Sequence, residues 1–201
     1  PPLRVVLVHP EQPRNVGAVI RAAANFGAES VRLVIDAAIW DDEYERQARV
    51  ASAGAWDHVP SIQQHDTLEA AATGCGMIAG TTGKLRRVPG AGVPQTPEEF
   101  FAAWQQPPPP PTWEPALPLA LAFGSESRGL GAEELDQCHA LIQIPTPGGF
   151  PSLNLAQAVG VVLYEGTRQG APPAPQLLAK PHAHLPVEIL EGTLTRWQNL
   201  L

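Results

Sequence analysis

The sequence has no long hydrophobic run and few cysteines. No apolar run approaches the roughly 20 residues that a membrane-spanning helix requires, so no integral membrane protein is predicted. The two cysteines, Cys75 and Cys138, form neither a disulfide framework nor a redox or metal-binding spacing. The N-terminal stretch PPLRVVLVHP lacks the apolar region and cleavage site of a signal peptide. We therefore expect a cytoplasmic protein.

Basic residues are also scarce. The chain carries 13 Lys and Arg against 20 Asp and Glu, which gives a formal net charge of −7 and a pI of about 5.3. This balance excludes a protein that coats nucleic acid through its overall charge, but not a local basic site. Arg14 and Arg21 form one small cluster, and Lys84, Arg86 and Arg87 form another. Solvated surface explains such clusters equally well when they are taken alone.

The composition is that of an ordinary globular domain, with 201 residues of which 44% are hydrophobic and 16% charged. The first 35 residues predict a strand in LRVVLVH, a helix in VGAVIRAAANFG and a strand in SVRLVI. A strand, helix and strand in this order form a parallel unit. Because the alternation continues along the chain, we predict an α/β fold with a mostly parallel sheet flanked by helices.

The other predicted elements follow the same alternation. Asp41 and Asp42 begin a helix in DDEYERQARVASAG, Asp66 is expected to cap a helix in DTLEAAATG, and Thr96 one in TPEEFFAAWQQ. The Pro-rich stretch from Pro107 is interpreted as an irregular surface connection rather than as a polyproline ligand. Further helices are predicted in AEELDQC and SLNLAQAVGVVLYEGTRQG, and further strands in CGMIAGTT, LPLALAFG and ALIQIP.

The last part of the chain differs in composition. Residues 171–184 are rich in Pro and Ala, which is typical of a linker. Residues 185–201 predict an amphipathic helix with an apolar side. We therefore divide the chain into a main domain over 1–170, a linker over 171–184 and a C-terminal helix over 185–201.

Four polar turns follow predicted strands. They are HPEQPRN, GTTGKLRR, GSESRGLG and IPTPGGFPSLN. Ligands of open α/β sheets bind outside the carboxyl ends of the strands, so these turns are the candidate site. None of them carries the glycine pattern of a dinucleotide or P-loop nucleotide site. The six histidines include no pair at convincing metal-ligand spacing, so no metal site is predicted.

Single residues in these regions have structural alternatives. Arg21 could extend from the surface of an amphipathic helix, Ser152 could cap the helix that follows it, and Glu126 could be a solvated loop carboxylate. Taken one at a time, these residues do not decide between structure and function. Their arrangement along the chain is more informative.

Three stretches in order resemble the TrmH/SpoU class of the SPOUT RNA methyltransferases, in particular its TrmJ-like branch. NVGAVIRAAANFG matches the first motif of the class, LAFGSESRGL the second, and IPTPGGFPSLNLAQAVGVVLYE the third. ASAGAWD and IAGTTGKLRR are also similar to TrmJ-like sequences. The match extends from residue 3 to about residue 170.

The resemblance implies a fold and a reaction. The expected fold is an α/β sheet whose C-terminal part forms a trefoil knot, with S-adenosylmethionine bound by the second and third motif loops and the loop containing GTT. The expected reaction is methyl transfer to a ribose 2′-hydroxyl of RNA, with tRNA favoured over rRNA and the anticodon loop as the favoured target. The class works as homodimers with the active site built across the interface, which would give the C-terminal helix a second use besides covering its own core.

By position, the resemblance also implies roles for individual residues. Arg21 would bind the target phosphate and stabilise negative charge on the 2′-oxygen, a role that we prefer to that of a base because a guanidinium is hard to deprotonate. Ser152 and Asn154 would position the hydroxyl or Arg21, and Asn15 and Glu126 would hold the loops. The expected cofactor-binding residues are Gly80, Thr81, Thr82, Gly124, Ile144, Ser152 and Leu153, and the expected RNA-binding residues are Arg14, Lys84, Arg86 and Arg87.

Two other functions remain open. One is a catalytically silent SPOUT-fold protein that binds RNA or a partner, although such a binder would not need Asn15, Arg21, Ser152 and Asn154 together. The other is a generic nucleotide-binding α/β protein, which the absence of a phosphate-cradling glycine motif disfavours. The sequence has no obvious added RNA-binding domain, which favours a tRNA stem-loop over a large ribosomal surface.

Overall fold

The structure is a computed structural model that describes residues 2–83, 91–104, 117–148, 150 and 152–168. The chain divides by its contacts into two units, Pro1–Gln169 and Gly170–Leu201, and the described residues belong to the first. The predicted linker over 171–184 and helix over 185–201, and the Pro-rich stretch, lie outside the described residues. So do Lys84, Arg86 and Arg87.

The described part of the chain contains a six-stranded parallel sheet, which confirms the predicted α/β class. The strand order is β3-β2-β1-β5-β4-β6. Strand β3 was not predicted from the sequence, because its four residues IQQH lack a run of apolar side chains. The strands are β1 (Leu3–Val8), β2 (Ser30–Val34), β3 (Ile62–His65), β4 (Met77–Thr81), β5 (Leu119–Phe123) and β6 (Ala140–Ile142).

The helices form where apolar residues recur at helical spacing. The helix caps are partly as predicted: Asp41 accepts a hydrogen bond from the backbone N–H of Tyr44 at 2.7 Å, and Thr96 exchanges hydrogen bonds with Glu99. The prediction that Asp66 caps a helix was wrong, because Thr67 accepts from the N–H of Ala70. The helices are α1 (Pro13–Asn25), α2 (Asp42–Ala51), α3 (Leu68–Ala72), α4 (Pro97–Trp104), α5 (Ala132–Asp136) and α6 (Leu155–Arg168).

The hydrophobic core lies on both faces of the sheet. On one face, side chains of α1, α4 and α6 pack on alternate residues of the central strands. On the other, side chains of α3 and of the segment around α5 pack on the intervening residues. All six residues of β1 and all five of β5 are buried. Burial on both faces explains why these two strands are almost continuously apolar.

Helix α1 packs between α2 and α6. It begins at Pro13, within HPEQPRN, the first of the four polar turns of the candidate site. A Cβ atom at Gly17 would collide with the backbone carbonyl of Ala48 in α2, so glycine permits this close packing. On the other side of α1, the rings of Phe26 and Tyr164 meet edge to face, with centroids 6.2 Å apart. No helix within the described residues has the length and hydrophobicity needed to cross a membrane.

Candidate active site

A cavity of about 330 Å³ opens at the carboxyl ends of β4, β5 and β6. Segments from three of the four predicted turns line it. This is the end of a parallel sheet where ligands are expected. The lining residues are Thr81, Thr82, Gly83, Phe123, Gly124, Ser125, Glu126, Ser127, Arg128, Gly129, Leu130, Leu135, Ile142, Ile144, Ser152, Leu153, Leu155 and Ala158.

The loop after β5 forms a tight arch along this cavity. The N–H of Gly129 donates to the carbonyl of Ser125 at 2.9 Å, and Gly129 has a φ of 72°, in the left-handed region that glycine tolerates. A Cβ atom at Gly124 would overlap the backbone of Gly129 and Leu130. Glycine at 124 is therefore a steric requirement of the arch.

The carboxylate of Glu126 reaches from this arch to the turn after β1. It accepts hydrogen bonds from the backbone N–H groups of Glu11 at 2.8 Å and Gln12 at 3.1 Å, and from Nδ2 of Asn15 at 2.7 Å. The two loops meet because β1 and β5 are neighbours in the sheet, with Leu7 paired to Phe123. Glu126 is thus a structural acceptor that joins two loops.

Asn154 joins the third motif to the same network. Its Oδ1 accepts from the N–H groups of Ala156 at 2.9 Å and Gln157 at 3.4 Å, so Asn154 caps α6. Its Nδ2 donates to Oδ1 of Asn15 at 2.9 Å. The alternative in which Ser152 caps this helix was wrong. Ser152 instead lines the cavity, with its hydroxyl making no hydrogen bond to another described residue.

The three linked side chains fix one another's orientation. A carboxylate only accepts, so the amide group that Asn15 turns to Glu126 must be its Nδ2. The Oδ1 of Asn15 then faces Asn154, which must donate because its own oxygen already accepts two helix N–H groups. The sequence predictions named all three residues, and the structure brings them together at the cavity rim.

The predicted cofactor-binding residues largely converge on the cavity. Gly80 does not line it: a Cβ atom there would collide with the Cys138 sulfur, so Gly80 allows β4 to pack closely. The pKa of the Cys138 thiol is raised to about 12, mainly by burial and to a smaller extent by the charge of Glu134. The predicted residues that do line the cavity are Thr81, Thr82, Gly124, Ile144, Ser152 and Leu153.

Arg21 lies apart from this network. It is six residues after Asn15 on α1, which turns it by about 120° around the helix and moves it about 9 Å along the axis. Its side chain is exposed, does not line the cavity and makes no hydrogen bond or ion pair with a described residue. Within a single chain, the described residues therefore do not bring Arg21 to the Asn15–Glu126–Asn154 network.

Arg128 at the cavity and Glu11 in the adjoining turn were not predicted as site residues from the sequence. Arg128 is exposed, lines the cavity and has no ion pair within the described residues. Glu11 accepts a hydrogen bond from the hydroxyl of Ser127 and another from its N–H at 3.4 Å. Both residues lie in polar turns that the sequence indicated, but contacts between loops more than 100 residues apart leave no local pattern. Arg14, which was predicted to bind RNA, is exposed at the start of α1.

Comparisons with known proteins agree with this architecture. The SpoU rRNA Methylase family matches residues 2–164. The tRNA (cytidine/uridine/adenosine-2′-O-)-methyltransferase TrmJ of Pseudomonas aeruginosa strain UCBPP-PA14 is 36% identical over 164 residues. The aligned region is 81% of this chain and 59% of that relative. The chain thus spans less than two thirds of the length of this relative.

Solved structures give the same result. TrmJ from Z. mobilis ZM4 superposes with a TM-score of 0.69 at 29% identity, over 100% of this chain and 79% of that one. A protein studied for the 2-OH methylation of C/U34 on tRNA superposes with a TM-score of 0.59 at 28% identity, over 83% of this chain and 95% of that one. The fold of the described residues is therefore consistent with the family that the sequence matches.

Proposed function

Because the chain belongs to the SpoU rRNA Methylase family, we propose that it uses S-adenosylmethionine to methylate a ribose 2′-hydroxyl of tRNA. The observation that carries this proposal is the hydrogen-bonded network of Asn15, Glu126 and Asn154 beside a cavity at the carboxyl ends of the strands. The relative from P. aeruginosa is named as a tRNA 2′-O-methyltransferase, which supports both the reaction and the RNA class.

The cavity suits this cofactor. Its volume of about 330 Å³ lies within the range of small-molecule sites, and the arch leaves no room for a side chain at Gly124. Ile142, Ile144 and Leu153 offer apolar contact to a flat ring, while Thr81 and Ser125 provide polar groups. When bound, S-adenosylmethionine supplies an electrophilic methyl group on its sulfonium. Thr82, Gly124, Ile144, Ser152 and Leu153 are the residues that we expect to hold it.

The protein's own groups would orient and activate the ribose. Ser152 is the candidate for direct contact with the 2′-hydroxyl, because its exposed side chain lines the cavity. Asn154 is held by Asn15 and by the start of α6, so it would fix the rim beside that serine. Arg21 would bind phosphate and stabilise negative charge on the 2′-oxygen, because a guanidinium is a cationic hydrogen-bond donor.

A second copy of the chain would bring an Arg21 to this site. Arg21 of the same chain is exposed and does not line the cavity, and α6 exposes an apolar side at Val161 and Tyr164, which are 42% and 56% exposed. We therefore propose a homodimer with an active site built from both copies. Tyr164 lies beside α1 through its contact with Phe26, and Val161 is three residues before it on α6, so one interface could bury both side chains and position Arg21.

The RNA would be bound by a local basic site. Arg14 and Arg21 lie seven residues apart on α1, and therefore on nearly the same side of the helix. Arg128 adds a third exposed guanidinium at the cavity. The anticodon loop is our preferred target because its single-stranded nucleotides expose their riboses, and the protein studied for C/U34 methylation supports this choice. Lys84, Arg86 and Arg87 remain proposed RNA contacts.

Three further parts of the proposal rest on the family resemblance, for the knot, and on the sequence pattern, for the domain limits and the location. They are a C-terminal trefoil knot, a methyltransferase domain over 1–170 followed by a linker over 171–184 and a helix over 185–201, and a cytoplasmic location. The described residues end at Arg168, so a crystal structure of the whole chain is the test of the knot and of the domain limits. Fractionation of cells that produce the untagged protein tests the location.

Methyl transfer from labelled S-adenosylmethionine to unmodified tRNA transcripts tests the reaction. We expect label in a nucleotide whose 3′-phosphodiester resists alkali, as a 2′-O-methyl group requires, and nuclease mapping would give its position. Arg21→Ala should abolish the label, and Arg46→Ala is the matched control, since Arg46 is an exposed helix arginine paired with Glu43. Binding of cofactor and tRNA without transfer would favour the catalytically silent RNA-binding protein.

Mixing two inactive variants tests the shared active site. In a heterodimer of Arg21→Ala and Asn154→Ala chains, a site that takes Arg21 from one copy and Asn154 from the other is intact once per dimer. Random mixing should then restore about a quarter of the wild-type activity. If both residues act within one chain, every site in the mixture carries a defect, and no activity should return.

A further inference from the structure

We propose that Glu11 is a positioning residue for the cavity. It acts through a reciprocal pair of interactions, in which the turn after β1 and the arch after β5 each supply a carboxylate that accepts hydrogen bonds from the other loop. We term this pair of interactions the carboxylate clasp. It consists of Glu11 and Glu126 with the groups that donate hydrogen bonds to them. The inference rests on the proposed function only in taking S-adenosylmethionine as the ligand whose binding the clasp supports.

The clasp is reciprocal. Glu126 of the arch accepts from the backbone N–H groups of Glu11 and Gln12 in the turn. Glu11 of the turn accepts from both the hydroxyl and the N–H of Ser127 in the arch. Each carboxylate therefore accepts from the backbone of the opposite loop: Glu126 from Glu11 itself and from Gln12, and Glu11 from Ser127, the residue after Glu126. Either carboxylate alone would hold the two loops together at one place, whereas the pair holds them at two and so restrains their relative orientation.

The clasp places the exposed Glu11 and the partly buried Glu126 on facing loops, and two carboxylates so arranged are unfavourable unless donors compensate. Glu126 has three N–H donors. The hydrogen bond from the Ser127 hydroxyl is the largest cause that lowers the pKa of Glu11, and the nearby charge of Arg128 lowers it further. Glu11 is therefore favoured in the charged form in which it can accept both hydrogen bonds from Ser127.

The turn after β1 is a fixed anchor for this exchange. The N–H of His9 donates to the carbonyl of Val34 at 2.8 Å, although His9 has a φ of 50°. The hydroxyl of Tyr44 in α2 donates to the carbonyl of Pro10 at 3.0 Å in a buried contact. Because both contacts tie the turn to the folded domain, the clasp holds the arch against a rigid part of the protein.

The clasp matters for ligand binding because the arch forms one wall of the cavity. The arch residues from Gly124 to Leu130 line the cavity, and hydrogen bonds from the N–H groups of Arg128 and Gly129 to Ser125 close the arch on itself. A loop that is already ordered in its binding conformation pays less entropy when the ligand binds. Glu11 does not line the cavity itself, so its effect on the ligand is indirect, through Ser127.

Two variants separate this role from a general loss of stability. Glu11→Ala removes both hydrogen bonds to Ser127, whereas Glu11→Gln keeps an oxygen that can accept them. Because Glu11 is exposed, we expect both variants to fold, with melting temperatures within about 2 °C of the wild type. Glu43→Ala is the matched control: Glu43 is also an exposed glutamate, paired on the surface of α2 with Arg46.

The first measurement is S-adenosylmethionine binding to the purified whole chain by titration calorimetry. Glu11→Ala should raise the Kd about tenfold, because the entropy cost of ordering the arch is then subtracted from the binding free energy of the ligand. Glu11→Gln should recover most of the affinity, and Glu43→Ala should leave it unchanged. Ser127→Ala should weaken binding, and the double variant Glu11→Ala with Ser127→Ala should be no weaker than Glu11→Ala alone. Additive losses, or wild-type affinity in Glu11→Ala, would overturn the clasp.

The second measurement is independent of the ligand. Amide hydrogen exchange over residues 124–130 should be faster in ligand-free Glu11→Ala than in the wild type or Glu43→Ala. Unchanged exchange in that segment would also overturn the proposal. If the wild type binds no S-adenosylmethionine but exchange accelerates in Glu11→Ala, the proposed function fails and the positioning role of Glu11 stands.

Discussion

Asn15 donates a hydrogen bond of 2.7 Å from its amide nitrogen to the carboxylate of Glu126, across 111 residues of sequence. The same Asn15 accepts from Asn154 through its amide oxygen. One side chain therefore connects the first helix, the arch beside the cavity and the start of the last described helix. In the proposed enzyme, this connection holds the cofactor side and the ribose side of the site in one geometry.

Replacing Asn15 with Asp should disrupt both halves of the site. A carboxylate at this position cannot donate to Glu126 and places a second negative charge beside it. We expect methyl transfer to fall about 100-fold, as small misplacements at reacting centres do, and the free energy of unfolding to fall by about 1–3 kcal/mol. Initial rates and urea unfolding are the measurements.

Asn25→Asp is the matched control for this substitution. Asn25 is exposed at the end of the same helix, so the change adds the same charge away from the network. Its activity should remain within about twofold of the wild type, because surface changes away from a site are nearly neutral. Equal losses in both variants would mean that charge on α1, and not the network, limits the reaction.

Replacing Gly124 with Ala should open the arch. A Cβ atom there overlaps the backbone of Gly129 and Leu130, which cannot move aside as a flexible side chain could. We expect S-adenosylmethionine binding to be lost and the free energy of unfolding to fall by about 1–3 kcal/mol, a typical cost of overpacking. Gly76→Ala is the control. Gly76 precedes β4, at the end of that strand away from the cavity, and its new Cβ would lie 3.4 Å from the Cβ of Leu117, an ordinary contact, so this variant should bind normally in the same titration.

The limits of sequence reasoning are visible in these residues. The sheet and helices could be predicted because their apolar residues repeat at strand or helix spacing, except in β3, whose IQQH has no such pattern. Glu126, Asn15 and Asn154 were identified by the family resemblance. Their contacts, and those of Glu11, depend on the strand order that places β1 beside β5. That order is a tertiary property, and no local spacing encodes it.

Arg21 shows a different limit. Its helical position could be predicted, and α1 forms as expected over Pro13–Asn25. Its relation to the cavity could not, because the direction of a helical side chain depends on which side of the helix packs against the sheet. The buried side of α1 contains Val16, Ile20 and Ala23, which leaves Arg21 facing solvent.

Replacing Arg128 with Ala should weaken tRNA binding through electrostatics. Arg128 is exposed at the cavity and has no ion pair among the described residues. Its charge acts on the nearby Glu11, but its exposed guanidinium can still contact a phosphate. We expect a higher KM for tRNA and a decrease of about 0.7–0.9 in the slope of log affinity against log salt concentration, the value for one phosphate contact. Filter binding at several salt concentrations measures both the affinity and the slope.

Arg46→Ala again provides the comparison, because Arg46 is exposed but lies on α2 and pairs with Glu43. Its salt slope should equal that of the wild type. A lower affinity for tRNA in Arg128→Ala at every salt concentration, with no change of slope, would show that Arg128 contributes by shape and not by contacting a phosphate.

Tyr44→Phe tests the anchor of the turn after β1. The tyrosine hydroxyl donates to the buried carbonyl of Pro10, and its removal leaves that carbonyl without this donor. We expect the free energy of unfolding near neutral pH to fall by about 1–2 kcal/mol. Tyr164→Phe is the control, because Tyr164 is 56% exposed and its hydroxyl has no hydrogen bond within the described residues; its stability should be unchanged.

The same tyrosine predicts a difference at alkaline pH. Burial first, and then the charge of Glu126, raises the pKa of Tyr44 above its ordinary value of 10.0. A group whose pKa is raised by folding stabilises the folded state fully below its unfolded pKa, and the contribution is lost as the pH rises towards the folded pKa. The wild type should therefore lose stability above pH 10 more steeply than Tyr44→Phe. Parallel unfolding free energies of the two proteins between pH 8 and about 11 would show that Tyr44 ionises as freely in the folded chain as in the unfolded one, and that the turn is anchored by other contacts.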